Sequence, residues 1–189
     1  LTIENNTVNN DSIEITNTAN WIKQVVIGCN FCPFAAKALA KKTVRYVVKE
    51  NTDFKSALTA LAEEFEFLNS NLNFETTFII FSDGFTDFLQ YLNLVDKGER
   101  LLTKENYEGV YQLASFHPHY LFSGSNENDA ENYTNRSPYP MLHILREDSI
   151  TKALENFDDP DSIPEKNIDF AKTKGIEYMK MLAASSINE

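Results

Sequence analysis

The 189-residue chain carries a formal net charge of −11 and a sequence pI near 4.7. No basic stripe offsets that excess of carboxylates, which argues against nucleic acid and anionic membranes as partners. Its two cysteines are too few for a disulfide scaffold, and no apolar run approaches the roughly 18 residues a bilayer-spanning helix needs.

A chain of this length buries roughly 70% of its unfolded surface and needs no metal or disulfide to fold, so one soluble, cytoplasmic domain is expected. Residues 1–16, rich in Asn and Thr, read as a polar tail, with the domain proper spanning 17–189. Trp21, Ile22, Val25 and Val26 recur at helical spacing and predict a helix over 18–27 that ends at Gly28 as its C′ residue, with a strand at 25–27 as the alternative. Pro33 suits the first position of a second helix to Lys42, which makes Cys32 its N-cap. The β-branched, aromatic run 43–49 reads as a strand, and Asp53 then caps a helix to Leu68 with Leu58, Leu61, Ala62 and Phe65 on its apolar face. Residues 76–82 form a second strand, apolar enough to be buried on both faces. Asp83-Gly84 turns into a helix carrying Phe88, Leu89, Leu92 and Val95. A third strand is expected at 109–116 and a fourth at 140–146, followed by closing helices at 149–157 and 164–184, the latter with Ser162 and Glu165 as a capping box around Pro164. Helical crossovers between the first three strands imply an α/β domain with a mixed, mainly parallel sheet of about four strands.

The segments IGCNFCPFA, QLASFHPHY and NRSPYPMLHILRE, followed by IPEKNI, resemble a bacterial family known as domain of unknown function 1415, over most of the chain from Trp21 to the last helix. The resemblance implies a domain identity and no mechanism. Its recurrent polar positions map onto Cys32, His117, Asn135, Arg136, His143, Arg146 and Glu147, and the sequence departs from it at Cys29, where an apolar residue is expected.

The residues themselves suggest several chemistries. A thiol at a helix N-cap is stabilised as thiolate by unpaired amide N–H groups and the helix dipole, so Cys32 reads either as a nucleophile or as a small buried hydrophobe. With Cys29 it spells Cys-x-x-Cys, but a redox motif of that type follows a strand, and the preceding segment reads as helix. His117 and His119 flank Pro118 just past the third strand, where extended backbone would point both rings to one side. With His143 they could hold a metal; singly they read as hydrogen-bonding residues, His143 as a buried one bonded to a backbone carbonyl. Arg136 offers a planar fork for carboxylate or phosphate with Asn135 beside it, or staples the loop to the acidic body. Arg146 and Glu147 read as an ion pair at a helix start, with ligand contact as the alternative.

The loop 118–139, unusually long for a connection, reads as a lid or binding loop. Folded together, these pieces predict that Cys32, His117 and Arg136 converge in one crevice at the carboxyl edge of the sheet. Two functional expectations follow. One is a site for a small anionic molecule, bound by Arg136 with Asn135 and, if the site is catalytic, worked by a Cys32 nucleophile with His117 as its acid or base. The other is a non-catalytic adaptor docking a partner on its Phe- and Tyr-rich loop. The sequence assigns no cofactor and no oligomeric state.

Overall fold

A computed structural model of the chain describes residues 12–155 and 159–187. The expected polar tail lies outside them up to residue 11, but the domain starts earlier than Asn17: helix α1 runs Ile13–Trp21, with the Ser12 side chain accepting from the Ile15 amide at 3.3 Å. It continues without a break into a π-helical turn, Ile22–Ile27, which rules out a strand at 25–27.

Gly28 ends this segment in right-handed helical conformation, and Asn30, at φ 56°, makes the left-handed turn assigned to the glycine from sequence. The glycine is required for a different reason. In the wide turn its amide reaches back to the Lys23 carbonyl at 3.1 Å, and a Cβ there would run into the Gln24 carbonyl oxygen.

Helix α2 is shorter than expected, Ala35–Ala40, with Phe34 rather than Cys32 at its N-cap. Strand β1 (Val44–Lys49) leads to α3 (Phe54–Ser70), closed at its start by a reciprocal capping box between Asp53 and Ser56. Strand β2 (Thr76–Phe81) is buried at every position, as its unbroken apolar run predicts. Helix α4 (Phe88–Lys104) is capped by Asp87 and turned differently from expectation. It buries Tyr91, Leu94, Gly98 and Leu102, while Leu89 stands 75% exposed.

Strand β3 (Tyr111–Phe116) precedes the long loop, and β4 (Met141–Arg146) follows it. Helix α5 (Glu147–Leu154) begins directly at the end of β4. The expected single closing helix is two, α6 (Ile163–Lys174) and α7 (Ile176–Ser185), because Gly175 takes φ 81° and breaks the run. Ser162 donates its hydroxyl to the Asp159 carbonyl at 2.8 Å and forms no capping box with Glu165. Among the described residues no helix is long and apolar enough to cross a membrane.

The sheet order is β1-β2-β4-β3. It is mixed rather than mainly parallel: β1 and β2 pair in parallel, but β4 is antiparallel to both β2 and β3. The first three strands do run the same way. The reason is that β3 leaves one position vacant beside β2, and the long loop brings β4 back into that gap.

Both crossover helices, α3 and α4, cover one face, packing Leu61, Phe65, Tyr91 and Leu94 on Ile79, Phe81, Leu142 and Ile144. The other face presents Phe78, Ile80, Met141 and Phe116 to α1, the π turn, α6 and α7, with Trp21, Ile22, Ala171 and Met179 filling the layer. The product is one three-layer α/β domain.

Replacing Gly28 with alanine forces a methyl group against backbone, so Gly28→Ala should lower unfolding free energy by about 1–3 kcal/mol. A urea-unfolding midpoint equal to wild type would refute this account of the π turn.

Candidate functional site

Residues 117–140 are held by their own polar groups. Asn132, fully buried, accepts from the Phe122 amide (3.1 Å) and the Ser125 hydroxyl (2.8 Å) and donates to the Asn126 carbonyl (2.7 Å). Asn132 is not among the residues singled out from the sequence. A buried Asn among Ser, Asn and Asp is the loop-organising signal that sequence reasoning missed. The two ends of the loop are tied by the His117 amide on the Asn135 carbonyl (3.2 Å) and the Asn135 side-chain amide on the Ser115 carbonyl (3.1 Å). Asn135 is thereby a strand-end tie, with its donor turned to the backbone.

His117 is fully buried between α4 and the end of β3, against Phe88 and Tyr91 at ring-centroid distances of 5.1 and 4.9 Å. Its Nδ1 accepts from the His119 amide at 2.9 Å, which fixes the proton on Nε2, and Nε2 donates to the Phe85 carbonyl at 2.9 Å. Both nitrogens are therefore committed. Desolvation pushes its pKa below the ordinary imidazole value. His119 itself is exposed and contributes its main chain to this lock.

His143 lies on the opposite face of the sheet, stacked on Phe78 at 3.7 Å. Its Nε2 meets the Thr76 hydroxyl, which donates onward to the Ile144 carbonyl at 2.6 Å, so a threonine rather than a backbone carbonyl is the direct partner. Desolvation pushes its pKa down to about 3. The three imidazoles do not converge as the metal alternative requires, and among the described residues no group of three or more His, Cys, Asp or Glu is arranged to hold a metal.

Cys32 packs at the margin of the core beneath α1, the π turn, α6 and α7, the layer away from His117. The Phe34 and Ala35 amides donate to its sulfur, yet burial outweighs them and raises the thiol pKa. Cys29 is buried and its thiol is raised too, by burial against a smaller opposing effect from Lys174. The expected crevice fails sideways: β1, which follows the Cys32 helix, and β3, which precedes His117, are the two outer strands of the sheet, and the side chains serve opposite faces.

Arg146 is also spoken for. It donates to the Leu68 and Phe74 carbonyls and to the Tyr111 hydroxyl (3.1 Å), closing the C-terminal end of α3 instead of pairing with Glu147. Glu147 starts α5, its amide on the Val110 carbonyl at 3.0 Å.

Arg136 does reach a cavity. The buried Trp21 indole donates to its carbonyl at 2.9 Å, its guanidinium donates to the Tyr120 (3.2 Å) and Glu127 (2.9 Å) carbonyls, and it lies over the Tyr133 ring at 4.7 Å. Together with α7 these residues line an open cleft of about 230 Å³, with Trp21, Tyr133, Arg136 and Lys180 on its walls. Lys180 carried no signal in the sequence; the bend at Gly175 helps set the course of the helix that brings it there.

A family model described as a protein of unknown function, DUF1415, matches residues 14–181. The chain belongs to this family. No curated protein and no solved structure gives a significant match. Family membership thus agrees with the resemblance read from the three motifs, and the members' shared description carries no activity.

Two outcomes test the site chemistry. His143, neutral in the fold but titrating near 6.5 when unfolded, makes the unfolded state the stronger proton binder below that pH. Stability should fall from about pH 6.5 toward about pH 3, by roughly 1.4 kcal/mol per pH unit for a histidine kept neutral, with His117 adding in the same direction. Urea midpoints between pH 6.5 and 5 should show that slope, and His143→Leu should reduce it to the smaller part contributed by His117. Alkylation of Cys32 should have its midpoint at or above that of a free thiol; one well below would restore the nucleophile.

Proposed function

We propose that the domain binds a small anionic molecule in the cleft between the 117–140 loop and α7, with Arg136 and Lys180 as its cationic contacts. The carrying observation is what Arg136 is bonded to. Of the four arginines, Arg45 is locked in a bidentate pair with the buried Glu64 (2.8 and 3.1 Å), and Arg100 pairs with Asp96. Arg146 spends itself on the carbonyl end of a helix. Arg136 alone among the described arginines meets neither a carboxylate nor a helix end, and its carbonyl partners orient the guanidinium without neutralising it.

Lys180 supplies a second charge at low cost. Its contact to the exposed Glu177 at 3.1 Å is a surface pair of the kind worth little, so an incoming anion can replace it. The reading is a binding site rather than a reaction centre. The Cys32 thiol is raised and the His117 nitrogens are both bonded, which favours a role that needs neither.

Trp21, the sole tryptophan, lines the cleft and reports on it. Titration with small carboxylates and phosphates should change its emission saturably and raise the melting temperature, more strongly at low ionic strength. Lys180→Ala should weaken that response several-fold without altering the melting temperature of the free protein. Equal responses from Lys180→Ala and wild type, or from neutral compounds of the same size, would refute the proposal.

A further inference from the structure

The dimensions and donors of this cleft narrow the ligand further, on the basis that it is an anion site at all. We infer that it takes a metabolite-sized monoanion with a compact apolar body, a carboxylate on a branched aliphatic or single-ring frame, rather than a nucleotide or free phosphate.

Size is the first constraint. A volume of about 230 Å³ corresponds to roughly eight waters of the liquid and lies below the roughly 300–1,000 Å³ of common drug-sized pockets. A nucleoside monophosphate, with base, sugar and phosphate, is larger than this space and would leave part of itself outside the open side of the cleft, uncovered by its walls.

Donor supply is the second. The two serines on the lining are already donors to the backbone, Ser137 to the Tyr139 carbonyl and Ser186 to the Ala183 carbonyl, both at 2.6 Å. A phosphate brings three strong acceptor oxygens and close to two charges, and needs a nest of amides or several cations. Here the charged residues on the lining are Arg136, with two of its guanidinium nitrogens bonded to the Tyr120 and Glu127 carbonyls, and Lys180, a pair of cations better matched to a single carboxylate.

The rest of the wall decides the body of the ligand. Pro118, Pro138, Ala183, Ala184 and Ile187 offer hydrocarbon, so a bare anion leaves that surface wet while an apolar substituent covers it.

The test is a Trp21-fluorescence titration of the full chain with a matched series. Acetate, isovalerate and phenylacetate share one carboxylate on a growing body. Phenylacetamide keeps the body without the charge, and inorganic phosphate and adenosine monophosphate supply the excluded classes. Affinity should rise about tenfold or more from acetate to the larger acids and fall about tenfold or more for the amide. Ala184→Leu, at an exposed helix position on the lining, should weaken the larger acids and spare acetate. Phosphate or the nucleotide binding as tightly as the larger acids would overturn the ligand class while leaving an anion site standing. Amide binding equal to the acid, or no binding by any compound, would overturn both.

Discussion

The hydrogen bond from the Trp21 indole to the Arg136 carbonyl is the contact on which the rest of the functional face depends. Trp21 is 1% exposed, and its single polar atom must be paired when its ring is buried. The partner it finds belongs to the returning end of a 24-residue excursion, residues 117–140, which must satisfy its own backbone without a ladder. Asn17, donating to the Tyr139 hydroxyl at 3.1 Å, and Thr18, on the Met141 sulfur, extend the same seam along α1. One helix face thus fixes where the loop re-enters the sheet, and with it the register in which β4 fills the gap beside β2.

That gap explains why every histidine of the chain falls in one segment. Residues 115–147 contain the chain's irregular backbone at its most concentrated, and each imidazole or its neighbour closes one part of it. His117 ties the end of β3 to the corner after β2, where Phe85 holds a left-handed φ of 57° with its carbonyl fixed by the ring. The Tyr91 hydroxyl does a parallel task, accepting from the Phe116 amide (2.9 Å) and donating to the Met141 carbonyl (2.6 Å) where β3 and β4 meet. His143 occupies the sheet face itself, in register with Tyr46 and Phe78. Three rings close in sequence therefore serve two faces of one sheet.

Local physics was legible and lateral physics was not. The four strands, the Asp53 cap and the buried β2 follow from patterns within a few residues. The common direction of the first three strands followed from their helical crossovers, while the direction of the fourth, antiparallel to both its neighbours, did not. What failed is the order across the sheet. Nothing within a strand says that β4 rather than β3 lies beside β2, and that choice sets how far the end of β3 stands from the helix after Cys32. Face failed for a simpler reason: Phe116 points to the layer of α1, α6 and α7, so His117, one residue on, points to the layer of α3 and α4. The α4 face was misread because Leu89 and Leu92 are apolar yet exposed, and only packing distinguishes them from Tyr91 and Leu94.

An anion site on a chain of charge −11 is a question of range. At physiological ionic strength charges beyond about 8 Å are largely screened, so the distant carboxylates slow an approaching anion without setting its affinity. The affinity is set by the groups in contact. A cation already paired with a carboxylate, as Arg45 is with Glu64, presents no net charge to a ligand, while one bonded to carbonyls keeps its charge and loses only its freedom. The loop therefore holds Arg136 as a rigid scaffold would: the ordering entropy of its long side chain is met on folding, by Tyr120, Glu127 and the Tyr133 ring. In the same arrangement Arg136 staples the loop with only part of its donor fork, which leaves its charge for the anion contact proposed above.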